Sequence, residues 1–361
     1  MADGGTVGQA SGPLLTFDDT NNYLEVTGCD VGIGTTTPNS KLQVANLINF
    51  DDTNYNVLLG TNAGSALTDG TMNVMIGHNA GLNKTITGLN IIIGKAAGEA
   101  NGGDCNVFIG KAAGQLATSD NNVFIGSDAG SKVVGGGSNF ALGRNAMLEN
   151  VSGTDNIYIG YSAGRDVTGG GNILIGSAAG RIGTSASHNT MIGKSVSRYN
   201  QTGDENVLIG YEAGYGSSGN SYSKNTFIGY QSGYPIETGS GNVFIGYKSG
   251  YNQTTNSNLL IIDNQDRTSA ALDLANSLIY GVFDVASANQ SFRINAYLKV
   301  KEAIMGIERS TDPTEPSEGE FVIWMSDGTG FGDDGDVCAA SQAAGTTKKV
   351  IIFDHSAGAA W

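Results

Sequence analysis

Two carboxylates held a short distance apart in a groove could cleave a glycosidic bond, and the stretch from residue 56 to 263 is where such a pair would have to sit. It holds 13 acids, most of them in turn-like settings such as Asp69, Asp104, Asp120 and Asp155. Only Asp204 and Glu205 are adjacent there, and neighbours on a strand point to opposite faces. None of His78, His188 and His355 has a nearby partner that suggests a proton relay. Cys29, Cys105 and Cys338 are far apart, with no Cys-x-x-Cys and no metal-ligand spacing, so they read as small buried thiols of a chain folded in a reducing cytoplasm. Asp327, Asp333, Asp334 and Asp336 lie among glycines and could hold Ca²⁺, although a solvated hairpin turn is the plainer reading, and the Gly-Gly-x-Gly-x-Asp repeat of calcium-binding rolls is missing. The expectation is therefore no enzyme and no cofactor, with a glycan-cleaving spike ranked last among the functions.

What the chain does have is a repeat of 16 to 19 residues, Asn-apolar-bulky-Ile/Leu-Gly followed by a small residue and Gly, as in Asn106-Val107-Phe108-Ile109-Gly110 with Ala113-Gly114. The anchors are Asn56, Asn73, Asn90, Asn106, Asn122, Asn139, Asn156, Asn172, Asn189, Asn206, Asn225, Asn242 and Asn258. A unit this short cannot bury its own apolar face and is stable only when stacked on copies of itself, so the period predicts a β-solenoid or β-roll of about 13 coils. The residues after each Asn are β-branched and aromatic between Asn and Gly borders, which predicts one short strand per coil and excludes helix. The strand-ending glycines, Gly126 among them, are expected at positive φ, and the asparagines are expected to bond backbone or the Asn one coil away.

Period-two alternation sorts the strand residues onto two faces. The residue before the closing Gly and the one two earlier, Val107 and Ile109 for instance, are assigned to the interior. The residue between them then points outward: Phe108, Phe124, Phe227 and Phe244 among a column of Leu, Met, Ile and Tyr. A continuous apolar stripe exceeds what a soluble monomer exposes, so it should be covered by other copies, most economically about a three-fold axis.

Stacking also turns residue types into ladders. Tyr211, Tyr230 and Tyr247 recur five places after their anchors, and Tyr215, Tyr234 and Tyr251 nine places after. A tyrosine offers an apolar ring and a hydroxyl, which suits a sugar or a protein surface, and ring-on-ring packing is the alternative. Arg165, Arg181 and Arg198 precede them at the ninth place, where they could grip anionic glycans or lie along backbone carbonyls.

The formal charge of −15 resides mostly at the two ends of the chain, and 19 dispersed Lys and Arg make no basic stripe, which argues against nucleic acid. No secretory signal and no apolar run of membrane-spanning length is found, so no membrane insertion is expected. Four segments follow: an opening β module at 1–48, the repeats at 49–263, a capping segment at 264–304 with strands expected within 277–284 and 291–300, and an acidic β module at 305–361 after the Pro-containing stretch 310–317.

Repeats of the type Asn-Val-Phe-Ile-Gly-x-x-Ala-Gly, preceded by Val31-Gly32-Ile33-Gly34-Thr35-Thr36-Thr37-Pro38 and followed by Asn258-Leu259-Leu260-Ile261-Ile262-Asp263-Asn264, resemble those of bacteriophage tail-fibre and related trimeric adhesin proteins. The roll is similar to the left-handed β-rolls in the heads of trimeric autotransporter adhesins. The ending, with Gly319-Glu320-Phe321-Val322-Ile323-Trp324, looks like a module at the ends of fibre-like proteins of aquatic viruses. The resemblance implies an all-β, left-handed, homotrimeric roll. It implies a virion fibre, folded in the host cytoplasm and then extracellular, which joins other virion subunits and contributes to attachment to a host glycan or protein. Two departures qualify it: no helical chaperone-like segment follows Gly319, and no signal or membrane anchor of an autotransporter is seen. The rival is a cell-made filament or surface adhesin.

Overall fold

The computed structural model describes residues 53–84, 88–100, 102–217 and 219–296, with short strands before and after them within 6–51 and 308–353. The chain divides into two compact units, residues 1–296 and 297–361. The second contains Phe321–Ser326, Val337–Ala343 and Thr346–Phe353 as an antiparallel meander, with Glu308–Arg309 alongside the first of them. Asp327, Asp333, Asp334 and Asp336 lie outside the described residues, as do Cys29 and His355.

The first unit is a parallel β-solenoid: thirteen short strands, from Asn56–Leu59 to Leu259–Ile262, joined by twelve turns of the chain. Each strand pairs with the equivalent residues of the coil before and after, as Phe124 does with Phe108 and Ala141. Inter-coil hydrogen bonds continue around the rest of the coil, for example Gly114 N to Ala129 O at 2.9 Å and Asn121 N to Asp104 O at 3.1 Å. Stacking therefore satisfies backbone groups that a lone coil would leave to solvent.

The strands face the opposite way from the sequence expectation. The middle residues point inward: Phe108, Phe124, Phe227 and Phe244 are completely buried within one chain, and the Phe108–Phe124 and Phe227–Phe244 rings stack at 5.2 and 4.8 Å. The flanking Val and Ile positions face out. The reason is the anchor. Asn106 and its equivalents are themselves buried, and a period of two puts each Asn on the same face as the residue two places on. In most coils a bulky side chain then fills the interior and the β-branched residues clothe the sheet, while at Phe140–Leu142 the small Ala141 points in and Phe140 faces out.

The buried asparagines form a continuous ladder. Asn73 donates both its backbone N and Nδ2 to Asn56 Oδ1, at 2.9 and 3.0 Å, and the pattern recurs at Asn156 on Asn139 and Asn189 on Asn172. At the last coil the register moves by one. Leu259, not Asn258, takes the anchor's place and donates its N–H to Asn242 Oδ1 at 2.9 Å, while Asn258 has the positive φ of 61° found just before each anchor. Twelve asparagines, rather than thirteen, therefore make the ladder.

Two glycines show what fixes the path. Gly126 ends its strand at φ 135°, and a Cβ there would lie 2.6 Å from the carbonyl oxygen of Gly143 in the next coil. Gly130 has φ 57°, and a Cβ there would collide with the Phe124 ring.

Both ends of the parallel sheet are closed by antiparallel strands. Ile48–Asp51 covers Asn56–Leu59, and Ile279–Val282 with Ser291–Ile294 covers Leu259–Ile262. Between the latter elements lies a helix, Ala270–Asn276, which the sequence pattern does not signal. Ser269 caps it by accepting from Leu272 N, and its buried Asp273 accepts from Asn252 N at 2.9 Å.

Candidate binding surfaces

The outer face of the sheet is apolar at nearly every position, Thr190 and Thr226 being its polar residues. Leu59, Ile91, Leu142, Ile157, Ile173, Ile192, Val207, Ile209 and Ile228 are each between 37 and 41% exposed in the single chain. These side chains stand in two columns with nothing polar between them, because the intervening residue points inward. The stripe foreseen from the sequence thus exists with different residues in it. Phe108, Phe124, Phe227 and Phe244 belong to the core, and the flanking aliphatics form the face.

Along one edge of that face run the tyrosines. Tyr211, Tyr230 and Tyr247 stack in sequence at 5.3 and 5.4 Å, and Tyr215, Tyr234 and Tyr251 at 5.0 and 5.4 Å, with ring planes within 15° of parallel. Tyr199 meets Tyr215 edge-on at 5.1 Å. The flat faces are turned toward one another, so the ladders offer solvent their ring edges and hydroxyls. Lys194 lies 5.9 Å from the Tyr211 ring, and Lys248 lies between Tyr247 and Tyr251 at 5.7 and 4.7 Å, so cations close both ends of the first stack. Burial raises the pKa of Tyr215 and Tyr234, and the Glu212 side chain raises that of Tyr211. The hydroxyls of Tyr211, Tyr215 and Tyr234 therefore remain protonated donors at neutral pH.

The arginines do different things. Arg165 forks onto Asp166 with two bonds of 2.7 Å, whereas Arg181 and Arg198 each hold a buried Nε with no hydrogen-bond partner, and Arg198 packs 5.4 Å from the Tyr199 ring. The acids are mostly structural. Asp104 Oδ1 accepts from Gly88 N, Asp120 Oδ1 from Asp104 N and Asp204 Oδ1 from Ser187 N, at 2.7 to 2.8 Å, and serine hydroxyls continue the ladder at Ser223, Ser240 and Ser257. Sequence reasoning missed this second ladder, whose signal is an Asp or Ser two places before an anchor. Glu205 points away from Asp204 to Lys224, 3.9 Å off, so this adjacent pair does not converge. His78 and His188 are exposed in different coils. Among the described residues no cluster of His, Cys, Asp and Glu could hold a metal ion.

Two further residues depart from expectation. Cys105 is exposed rather than buried, because the place just before an anchor lies on the outer corner of the coil. Lys84 is fully buried at an interior position that apolar residues such as Val133 and Val167 fill in other coils, and it donates to Gly103 O at 3.0 Å. Burial lowers its pKa to about 8 against the opposing pull of Asp104 and Asp120.

No protein-family model, curated protein or solved structure matches the chain.

Proposed function

We propose that this chain is the repetitive shaft of a non-enzymatic, homo-oligomeric fibre, a virion appendage that contributes to attachment to the host surface. The observation that carries the oligomer is the outer sheet face. Two columns over thirteen strands, aliphatic except at Phe140, Thr190 and Thr226, exceed the few hundred Å² of contiguous apolar surface that a soluble monomer commonly exposes. A second copy of the same chain covers such a face with an identical periodicity, and three copies about one axis hide one face each. Thirteen strands at about 4.8 Å give a rod on the order of 60 Å from this segment.

The virion assignment is supported by the likeness of the repeats and their flanking motifs to those of phage tail fibres. Against a filament made by end-to-end continuation of coils stand the antiparallel strands that already pair with both terminal strands of the parallel sheet. For attachment, the tyrosine edge at 211, 215, 230, 234, 247 and 251 is the best candidate surface, recognising glycan or protein through its row of hydroxyls rather than through ring faces.

Electron microscopy with an antibody to this chain tests the assignment. Label along an appendage of virus particles in a lysate is the expected result. Label confined to the surface of uninfected cells would replace the virion reading with the cell-made adhesin.

A further inference from the structure

Compared coil by coil, the two edges of the outer face carry opposite charges that vary together. The residue after the strand-ending glycine is Lys95, Lys111, Arg144 and Lys194 in four of the twelve Asn-anchored coils. The two residues that close those same coils, just before the next strand, contain Asp104, Asp120, Asp155 and Asp204-Glu205. In the other eight coils the first position holds Thr, His, Ser or Tyr, and the closing pair holds no Asp or Glu. A cation on the first edge and an acid on the second thus appear together or not at all, and Lys224, the one Lys or Arg on the second edge, pairs with Glu205 of the coil before.

These partners cannot meet within one chain. The sheet face lies between them, and its width at about 3.3 Å per residue puts the two edges on the order of 20 Å apart. Lys95, Lys111 and Arg144 are exposed and make no ion pair among the described residues, and Lys194 only flanks Tyr211. Lys95 and Lys111 even stand in adjacent coils, where like charges repel. Asp104 and Asp120 use Oδ1 for the backbone ladder, which leaves Oδ2 for another partner.

Along the roll, the acid that closes a coil lies within one strand spacing, about 4.8 Å, of the cation that begins its turn. A lysine or arginine side chain spans that offset. Pairing of each coil with the same coil of another chain therefore requires two rolls side by side at equal height and pointing the same way. An antiparallel pair would set cationic edge against cationic edge and would match unrelated coils.

We infer that copies of this chain pack parallel and in register about an axis along the roll, the cationic edge of each copy against the acidic edge of the next. This rests on the homo-oligomer proposed above, whose three-fold form already makes the copies parallel and in register, and adds the charged seam between them. The aliphatic columns supply contact area, and the edge charges exclude the antiparallel and slipped alternatives that a uniform apolar repeat would tolerate.

A charge-reversal cycle tests it. Arg144→Glu with Lys194→Glu reverses one edge, and Asp155→Lys with Glu205→Lys reverses the other. The positions before the anchors tolerate lysine, since Lys224 occupies the same place with φ 60°, close to 58° at Asp155 and 60° at Glu205. The second variant also removes the ion pair between Glu205 and Lys224, which is exposed and adds little to stability. Sedimentation of the full-length chain at low ionic strength should show each double variant dissociating about tenfold or more readily than the parent. The chain carrying all four reversals should regain the parent affinity.

An oligomer indifferent to reversal at either edge, or four reversals no better than two, would overturn the parallel seam and leave the homo-oligomer standing. A parent that never associates would remove both. Thermal melts verify that the variants are folded. If a reversed chain melts early, the neutral pair Lys194→Gln and Glu205→Gln completes the same cycle, and non-additive reductions in affinity are then expected if the seam is real, additive ones if it is not.

Discussion

The two faces of the parallel sheet are made from similar side chains and end in opposite situations. Inward, each coil but the last offers one packed residue and one asparagine, and these are engaged with their neighbours: Phe124 stacks on Phe108, and Asn139 holds Asn122 Oδ1 with two donors at 3.0 and 3.2 Å, whereas the buried Asn106 Nδ2 has no partner. Outward, most coils offer two aliphatic residues, Ile157 and Ile173 among them, with nothing among the described residues above them. Folding of one chain completes the first face only. The coils anchored at Asn122 and Asn139 sharpen the point, since Gly130 lies under Phe124 whereas the fully buried Met147 accompanies Ala141. What stays constant inside is filled volume rather than residue type, as close packing requires.

The largest effect should come from the turn that sets both faces. Gly126→Val combines a forbidden φ with a Cβ against Gly143 O, and it should lower stability by roughly 3–5 kcal/mol per chain in a denaturant titration. Phe124→Ala, which empties the inner face, should cost about 3–5 kcal/mol, and adding Gly130→Met should recover part of that by reproducing the Ala141 and Met147 pairing. A double variant no more stable than Phe124→Ala alone would show that volume is not the conserved quantity.

Lys84 puts an ionisable side chain at an interior position that apolar residues fill in other coils. Its folded pKa, about 8, lies below the ordinary 10.5, so the unfolded chain binds the extra proton between those values and stability should rise with pH across that window. Relative to Lys84→Met, the parent should be less stable at pH 7 by roughly 1–3 kcal/mol and should close the gap by pH 10. Parallel pH profiles of the two proteins would contradict this. The smallest effect belongs to the exposed ladders: Tyr230→Ser removes two ring stacks and should cost about 1–2 kcal/mol. If the tyrosine edge also serves attachment, replacing Tyr230, Tyr234 and Tyr247 with Ser should reduce host adsorption of chains that remain assembled. Unchanged adsorption would move the search elsewhere.

Much of this architecture is legible in the sequence alone. The spacing of the asparagines determines the coil, the glycines its turns, and the Asn ladder follows from stacking. The assignment of faces fails because the β-branched residues count as the core when Asn is treated as an edge residue. A buried, mutually bonded Asn shifts the count by one, and nothing in hydrophobicity reveals that shift. The Asp and Ser ladder escapes for a related reason: its members align only when counted backward from the following anchor, and coils of 16, 17 and 19 residues hide them when counted forward. Cys105 reads as buried by residue type, but its place at the outer corner decides otherwise. The tyrosine columns are evident from spacing, whereas their ring orientation depends on the inter-coil distance and is not encoded in residue identity.

The molar mass of the intact chain in solution bears most directly on whether the outer face is covered by copies of itself. Sedimentation equilibrium across a dilution series should return a closed multiple of 37.1 kDa, three for the three-fold arrangement. It should fall toward the single-chain value when Ile157, Ile173 and Ile192 are changed to lysine, with the far-UV spectrum unchanged. A parent protein that stays folded, soluble and monodisperse at 37.1 kDa throughout would contradict the account.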